Sequence, residues 1–285
     1  MDARMEIPAE LIERLGPDTK VAALTGAGVS AASGIATFRG ADGLWKKHRV
    51  EDLATPEAFA RQPDVVWGWY GWRRDRVRAA EPNAAHRALA DLATRVARLD
   101  IITQNVDGLH ERCPLAGPGG IIRLHGSLWI LRCSRCGAER EDYEPGPGPG
   151  ALPRCACGGL ERPGVVWFGE VLAMEDLDRA ARATREAEVF LVVGTSALVY
   201  PAAGFIGMAA RSGALVAEFN LEPTDQPDVA LSVAGEYRSR TVREDLIRPV
   251  PRWVVPVSKW LAAITWVFAS LLVAWVFGGL LSCVK

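Results

Sequence analysis

The 285 residues include six cysteines, and four of them form two close pairs, Cys133-x-x-Cys136 and Cys155-x-Cys157. Four thiolates at this spacing can close a tetrahedral zinc site. Such a site leaves no position for water or substrate, so its role would be structural: folding a segment too poor in apolar residues to fold alone. Free buried thiols are the alternative. Cys113 and Cys283 stand apart, a pattern that suits a reducing compartment better than a disulfide framework. Arg132, Arg135, Arg140 and Arg154 flank the pairs and would permit a nucleic-acid contact, but Glu139, Glu141, Asp142 and Glu144 offset them.

A second set of candidates carries acid–base and hydrogen-bonding chemistry. His125, in Leu124-His125-Gly126-Ser127, closes an apolar run from Ile121 that reads as a strand. An imidazole at a strand end can act as a general base near neutral pH. Asn105 and Asp107 follow the strand Leu99–Thr103 and could bond a carboxamide or an oriented water; an Asx turn would also explain them. His86 and His110 read as structural. Tyr70 and Arg73, three residues apart on a helix, share a face. Arg73 would offer a fork of donors to a carboxylate, with a phenol beside it. A basic solvated face is the other reading, because Arg74, Arg76 and Arg78 follow.

The third set is the stretch Gly26 to Gly40, GAGVSAASGIATFRG, which follows the apolar run Val21–Leu24. A strand ending in Gly26-x-Gly28-x-Ser30 suits a phosphate-binding turn, where glycine admits a pyrophosphate and the next helix offers its N–H groups. The G-x-G-x-x-G fingerprint is not completed, since Ala32 and Ser33 stand where the third glycine is sought.

The elements that must position these groups follow from the pattern. Residues 7–16 read as a short amphipathic helix. Thr55-Pro56 starts another, Pro63-Asp64 a third running through Arg74, and Pro82-Asn83 a fourth. Strands are expected at Glu188–Val193 and Ala214–Phe219, with a helix at Pro201–Arg211 between them. Strands alternating with helices predict an α/β fold, a doubly wound parallel sheet whose strand-end clusters converge on one crevice. From about 131 to 163 the composition shifts to Cys, Gly and Pro, as in an inserted module, with Pro145–Gly150 a flexible or extended loop. Apolar residues make up 49%, enough for a core, and a net charge of −1 gives no reason to expect nucleic acid. Met1–Gly16 has no apolar h-region, so no signal peptide is expected.

The far end differs. Residues 249–260 read as a linker. Leu261 to Leu281 runs 21 residues without a charge, long enough to cross a bilayer. Flanking Trp260, Lys259 and Lys285 would serve as interfacial anchors, and Arg248, Arg252 and Lys259 would keep the preceding 250 residues cytoplasmic. A buried core helix is the alternative. The expectation is therefore a cytoplasmic protein tethered to the membrane by its tail.

In order along the chain, GAGVSAASGIATFRG, TQNVDGLH, LHGS, the cysteine pairs, VVWFGE, GTSALVYPAAG and FNLEP resemble the sirtuin family of NAD-dependent protein-lysine deacylases. The similarity runs from about Val21 to Glu236. It implies a Rossmann-like large domain, residues 1–248 in all, with a small zinc-ribbon and helical domain. NAD would be consumed as a co-substrate, acyl-lysine proteins would be the partners, and the products would be free lysine, nicotinamide and O-acyl-ADP-ribose. One structural zinc per chain is implied. By resemblance, Gly26, Ala27, Gly28, Ser30, Thr37, Phe38, Arg39 and Trp45 belong to the NAD loop. Gln104, Asn105, Val106 and Asp107 line the nicotinamide pocket, with Asn105 and His125 catalytic. Gly194, Thr195, Ser196, Asn220, Leu221 and Glu222 contact ADP-ribose, with Ala234 at its adenine end. Val165, Val166, Trp167, Phe168, Gly169 and Glu170 form one side of the acyl-peptide cleft. Tyr70 and Arg73 resemble the class III signature, which implies succinyl or malonyl removal beside deacetylation. Ala36 replaces a common proline, the second cysteine pair is one residue shorter than usual, and the charged stretch Tyr237–Leu246 replaces a short apolar helix. Mono-ADP-ribosyl transfer, or NAD binding with little turnover on a membrane tether, would use the same pocket.

Overall fold

The protein is described from a computed structural model, which covers residues 7–38, 49–148 and 150–234. In chain order its elements are α1 (Ala9–Arg14), β1 (Lys20–Thr25), α2 (Ala27–Ala31), α3 (Val50–Leu53), α4 (Pro56–Arg61), α5 (Pro63–Ala79), α6 (Ala84–Leu92), β2 (Arg98–Thr103), β3 (Gly119–Arg123), β4 (Gly126–Cys133), β5 (Glu139–Glu141), β6 (Glu161–Val165), α7 (Met174–Glu186), β7 (Val189–Val193), α8 (Gly204–Arg211), β8 (Leu215–Asn220) and β9 (Leu231–Ala234).

Six strands in the order β3-β2-β1-β7-β8-β9 form a parallel sheet. The order reverses between β1 and β7, and the crevice of such a sheet lies beyond the strand ends at that point. β7 and β8 are buried along their whole length, as strands covered on both faces must be. One face is covered by α7 and α8, where Ala180, Ala183, Phe205, Ile206 and Ala209 pack with Leu24, Ile102, Phe190 and Val216.

A second sheet, β5-β4-β6, is antiparallel and small. Its base shares a core with α4 and α5: Leu128, Leu131 and Val165 pack with Phe59, Val66, Trp67 and Val77. The far side of α5 is fastened by polar contacts. Arg74, 1% exposed, donates to Oδ2 of Asp142 at 2.7 Å and to the Asp142 carbonyl. Gly71 meets Gly146 backbone to backbone, and a Cβ on Gly146 would lie 2.3 Å from the Gly71 Cα. The described part of the Pro–Gly loop therefore packs against a helix and is not free.

The two helix starts are capped by the residues expected. Thr55 accepts from the Ala58 N–H at 3.1 Å, and Asn83 accepts from Ala85 at 2.8 Å. His125 departs from expectation. β3 ends at Arg123, and Leu124-His125 form the turn into β4. Gly126 makes that turn at φ +74°, with the Gly164 carbonyl 2.1 Å from where its Cβ would be.

The expectation of a transmembrane helix is corrected. Among the described residues no helix is long and apolar enough to cross a membrane. The longest, α5, has 17 residues and carries Asp64, Arg73, Arg74, Asp75, Arg76 and Arg78. The span 261–281 lies outside the described residues.

Candidate functional site

At the switch point, three glycines bring two strand-end loops together. Gly26 donates to the Val193 carbonyl at 3.1 Å and Gly28 to the Gly194 carbonyl at 2.8 Å. A Cβ on Gly28 would lie 2.6 Å from the Gly194 oxygen, and one on Gly194, at φ +59°, 2.3 Å from the Val29 nitrogen. Contact between loops therefore requires glycine here, whether or not a phosphate also approaches.

Beside this junction lies a buried polar network. Ser30 donates to Oδ2 of Asp107 at 2.7 Å and accepts from Asn105 Nδ2 at 3.2 Å. The other oxygen of Asp107 accepts from the Leu109 N–H at 2.9 Å. Both Asp107 oxygens are thus committed within the chain, while Asn105 Oδ1 has no partner among the described residues. Gln104 reaches across to Thr195 Oγ1 at 2.9 Å, and Asn220 Nδ2 donates to the Thr195 carbonyl at 3.1 Å. Ends of β1, β2, β7 and β8 are tied into one rim. Val106 is buried there, whereas Ser196, Leu221 and Glu222 are exposed at its edge.

His125 is half-buried and its Nδ1 lies 3.0 Å from the Gln104 carbonyl. A carbonyl can only accept, so Nδ1 carries the hydrogen and the neutral ring holds its lone pair on Nε2. Burial pushes this imidazole below its ordinary range, partly offset by the hydrogen bond to Gln104. The ring can therefore take a proton at Nε2 at neutral pH.

The opposite wall comes from α5 and the segment after β6. The Arg73 guanidinium lies 4.4 Å from the Phe38 ring centroid and 5.1 Å from that of Trp69. It is 5% exposed, and its Nη1 is buried without a partner among the described residues. Tyr70 is buried and accepts a hydrogen bond from Trp167 Nε1 at 2.8 Å. Burial raises its phenol to about 12, so it keeps its proton. Val166 donates to the His125 carbonyl at 2.9 Å, which ties this segment to the histidine turn. Trp167 is buried among Phe59 and Tyr70, while Phe168 and Gly169 are exposed. Thr37 adjoins Phe38, Ala27 opens α2, and Ala234 pairs with Asn220 through the backbone of β9. Arg39 and Trp45 lie outside the described residues.

Sequence reasoning missed Arg162 and the bracing contacts of Asn83 and Glu170. Asn83, a helix start in the sequence, also donates to the Val29 carbonyl at 2.7 Å and to Ser33 Oγ at 3.0 Å, bracing α2. Arg162 and Glu170 brace Trp167. Glu170 stood inside VVWFGE, but nothing in the spacing linked it to Arg162, eight residues earlier.

The four cysteine sulfurs all lie within 4.8 Å of one another. Cys133–Cys157 are 3.5 Å apart and Cys136–Cys155 3.8 Å. Zinc–sulfur bonds of ~2.3 Å in a tetrahedron need sulfurs ~3.8 Å apart, so the cluster fits zinc. The N–H groups of Arg135 and Cys136 point at Cys133 Sγ, as a thiolate favours. Gly159 is required beside it, since a Cβ there would be 2.8 Å from Cys133 Sγ. The shortened second pair still delivers both sulfurs.

A doubly wound sheet with its crevice at the switch point, joined to a four-cysteine ribbon, defines a nucleotide-binding α/β protein with a structural metal module. A family model, the Sir2 family, matches residues 26–201. An NAD-dependent protein deacylase of Aquifex aeolicus (strain VF5) is 52% identical over 211 residues, 74% of this chain and 87% of that protein. NAD-dependent protein deacylase 1 of Archaeoglobus fulgidus is 46% identical over 243 residues, 85% and 97% of the two chains. A crystal structure of a Sir2 homolog–NAD complex is 43% identical, covers 87% of this chain and 95% of its own, and superposes with a TM-score of 0.76. The chain belongs to the Sir2 family.

Proposed function

We propose that the chain is an NAD-dependent protein-lysine deacylase that accepts acidic acyl groups, succinyl or malonyl, beside acetyl. The relatives named above support the NAD-dependent deacylase activity. NAD, when bound, supplies the ribose that takes over the acyl group as nicotinamide leaves. In this reading the switch-point loops and the Ser30–Asp107–Asn105 network hold NAD, with Asn105 Oδ1 free to meet a polar group of it. His125 takes a proton at Nε2 while the Gln104 carbonyl holds its other nitrogen. The segment Val166–Gly169 forms one side of the peptide cleft, and the four cysteines hold zinc.

The observation that carries the acidic-acyl reading is the pairing of Arg73 and Tyr70. Among the described residues Arg73 has a buried donor without a partner, and Tyr70 has its oxygen occupied by an indole N–H, which leaves its own O–H to donate. Buried unpaired donors are costly, and a substrate carboxylate would satisfy both. Nicotinamide release from NAD should depend on an acyl-lysine peptide and be lost in His125→Ala. Arg73→Ala should lower kcat/KM for a succinyl-lysine peptide about 10- to 100-fold, the cost of a charge-assisted bond, and affect the matched acetyl peptide far less. Equal losses on both peptides would overturn the acidic-acyl reading. Release without peptide, with labelling of protein, would overturn deacylation.

A further inference from the structure

We propose that Arg162 and Glu170 are positioning residues for acyl selection, acting through the Trp167 indole on the Tyr70 phenol. The proposal rests on the acidic-acyl reading above and adds what sets that pocket's geometry.

Arg162 lies on β6 and is 6% exposed. Its guanidinium carbon sits 4.0 Å from the Trp167 ring centroid. Its Nη2 donates to Glu170 Oε1 at 2.6 Å. The other Glu170 oxygen accepts the backbone N–H of Trp167 at 2.8 Å, and the Glu170 N–H donates back to the Trp167 carbonyl at 3.0 Å. One carboxylate thus closes the turn 167–170 and holds the cation that lies against the indole. Phe59 packs beside the same ring at 5.5 Å.

A clamped indole has one consequence for the pocket. Its Nε1–H can only donate, and it donates to the Tyr70 oxygen. That fixes which way the phenol hydrogen must point, namely away from Trp167 toward an acceptor that the substrate would bring. Arg73 stands three residues further on the same helix. Loosening the indole would free the phenol to rotate, and the pocket would keep a cation without an oriented donor.

Stability alone does not account for the arrangement. A buried ion pair is weak evidence of stabilisation, and Arg162 Nη1 remains buried without a partner among the described residues. In some proteins such pairs are retained for the geometry they fix, and that is the role proposed here.

The test is steady-state kinetics of the full-length protein on succinyl- and acetyl-lysine peptides of one sequence. Arg162→Met and Trp167→Phe should each lower the succinyl-to-acetyl ratio of kcat/KM by about tenfold, mainly through the succinyl KM. Because both act through one hydrogen bond, the double variant should lower the ratio no further than either alone. Glu170→Gln, which keeps an acceptor for the Trp167 N–H, should shift the ratio in the same direction by less, and it serves if Arg162→Met fails to fold. Equal losses on the two peptides, or additive ones in the double variant, would overturn the relay. An unchanged ratio in Arg73→Ala would instead sink the acidic-acyl reading beneath it, so the two failures are distinguishable.

Discussion

The two sheets hold their shares of the site by different means. The parallel sheet is held by apolar burial: β1 and β2 are buried along all but their first residue, β7 and β8 throughout. The ribbon has an exposed β5, a loop of glycine and proline, and four sulfurs where a core would be. Its inner end borrows the core of α4 and α5, and its outer end is fastened by Arg74 to Asp142. Yet the ribbon strands deliver the His125 turn and the segment carrying Trp167. A site shared between a self-sufficient sheet and a metal-dependent one should fail in two separable ways.

The largest effect is expected from the ribbon. Cys133→Ser removes the buried sulfur of the cluster, the one that accepts two backbone N–H groups. Structural zinc in small modules contributes on the order of 10 kcal/mol, more than the remaining ribbon contacts can replace. Bound zinc should fall from one per chain to near zero and deacylation should be lost. The far-ultraviolet circular dichroism of the helices over the parallel sheet should largely persist. Full zinc content and activity in the variant would break the comparison, as would global unfolding, because the sheet would then depend on the metal too.

The next effect belongs to the sheet side and is driven by acid. His86 and His110 are 1% and 2% exposed, with ring centroids 4.8 Å apart. His86 Nδ1 accepts from the Asn83 N–H at 3.3 Å, and His110 Nε2 pairs with Thr25 Oγ1 at 3.0 Å. Burial pushes them down to about 4 and about 3. Both stay neutral in the folded chain well below pH 6, whereas in the unfolded chain they take up protons below about 6.5. Unfolding therefore binds protons in that window, and stability present above pH 6.5 is lost as pH falls toward 4. From pH 7 to 5 the two contribute a loss of about 3–4 kcal/mol. Urea unfolding at both pH values would measure it. Replacing His110 by Asn should remove about half of that dependence; an unchanged slope would show that these rings do not set it.

How much of this was legible follows from what kind of contact each residue makes. Local signals were readable: Thr55 and Asn83 cap helices within three residues of themselves, and the cysteine pairs carry their geometry in their spacing. Strand β9 and helix α7 were not read. The buried stripe of α7 is Ala180, Ala183 and Thr184, too small to contrast with the charged residues around it. The apolar run through Leu124 suggests a strand that carries His125. The chain turns there because the approach of the Gly164 carbonyl excludes any Cβ at position 126, a long-range fact. Arg162, and the link from it through Glu170 to Trp167, is silent in the sequence for the same reason, since the partner is a ring met only in three dimensions. The membrane span expected at 261–281 falls outside the described residues, and no described helix has the length or composition for it.

The glycines at the switch point give the smallest of these effects and the sharpest discrimination. Gly28 was read as room for a pyrophosphate, but the position of its Cβ is taken by the Gly194 carbonyl, which no rotamer change can move. Gly28→Ala must push the β1 and β7 loops apart, and overpacking of this kind costs about 1–3 kcal/mol. Gly120 on β3 is the control. Nothing lies within 4 Å of its Cβ position and its φ is not positive, so Gly120→Ala should change stability by no more than about 0.5 kcal/mol. If loop packing is the reason for Gly28, its variant should lower the urea midpoint and raise the KM for NAD together, because the same displacement moves Ser30 and Thr195. A raised NAD KM at unchanged stability would instead assign Gly28 to the approach of a phosphate, and the glycine junction would then belong to the ligand and not to the fold.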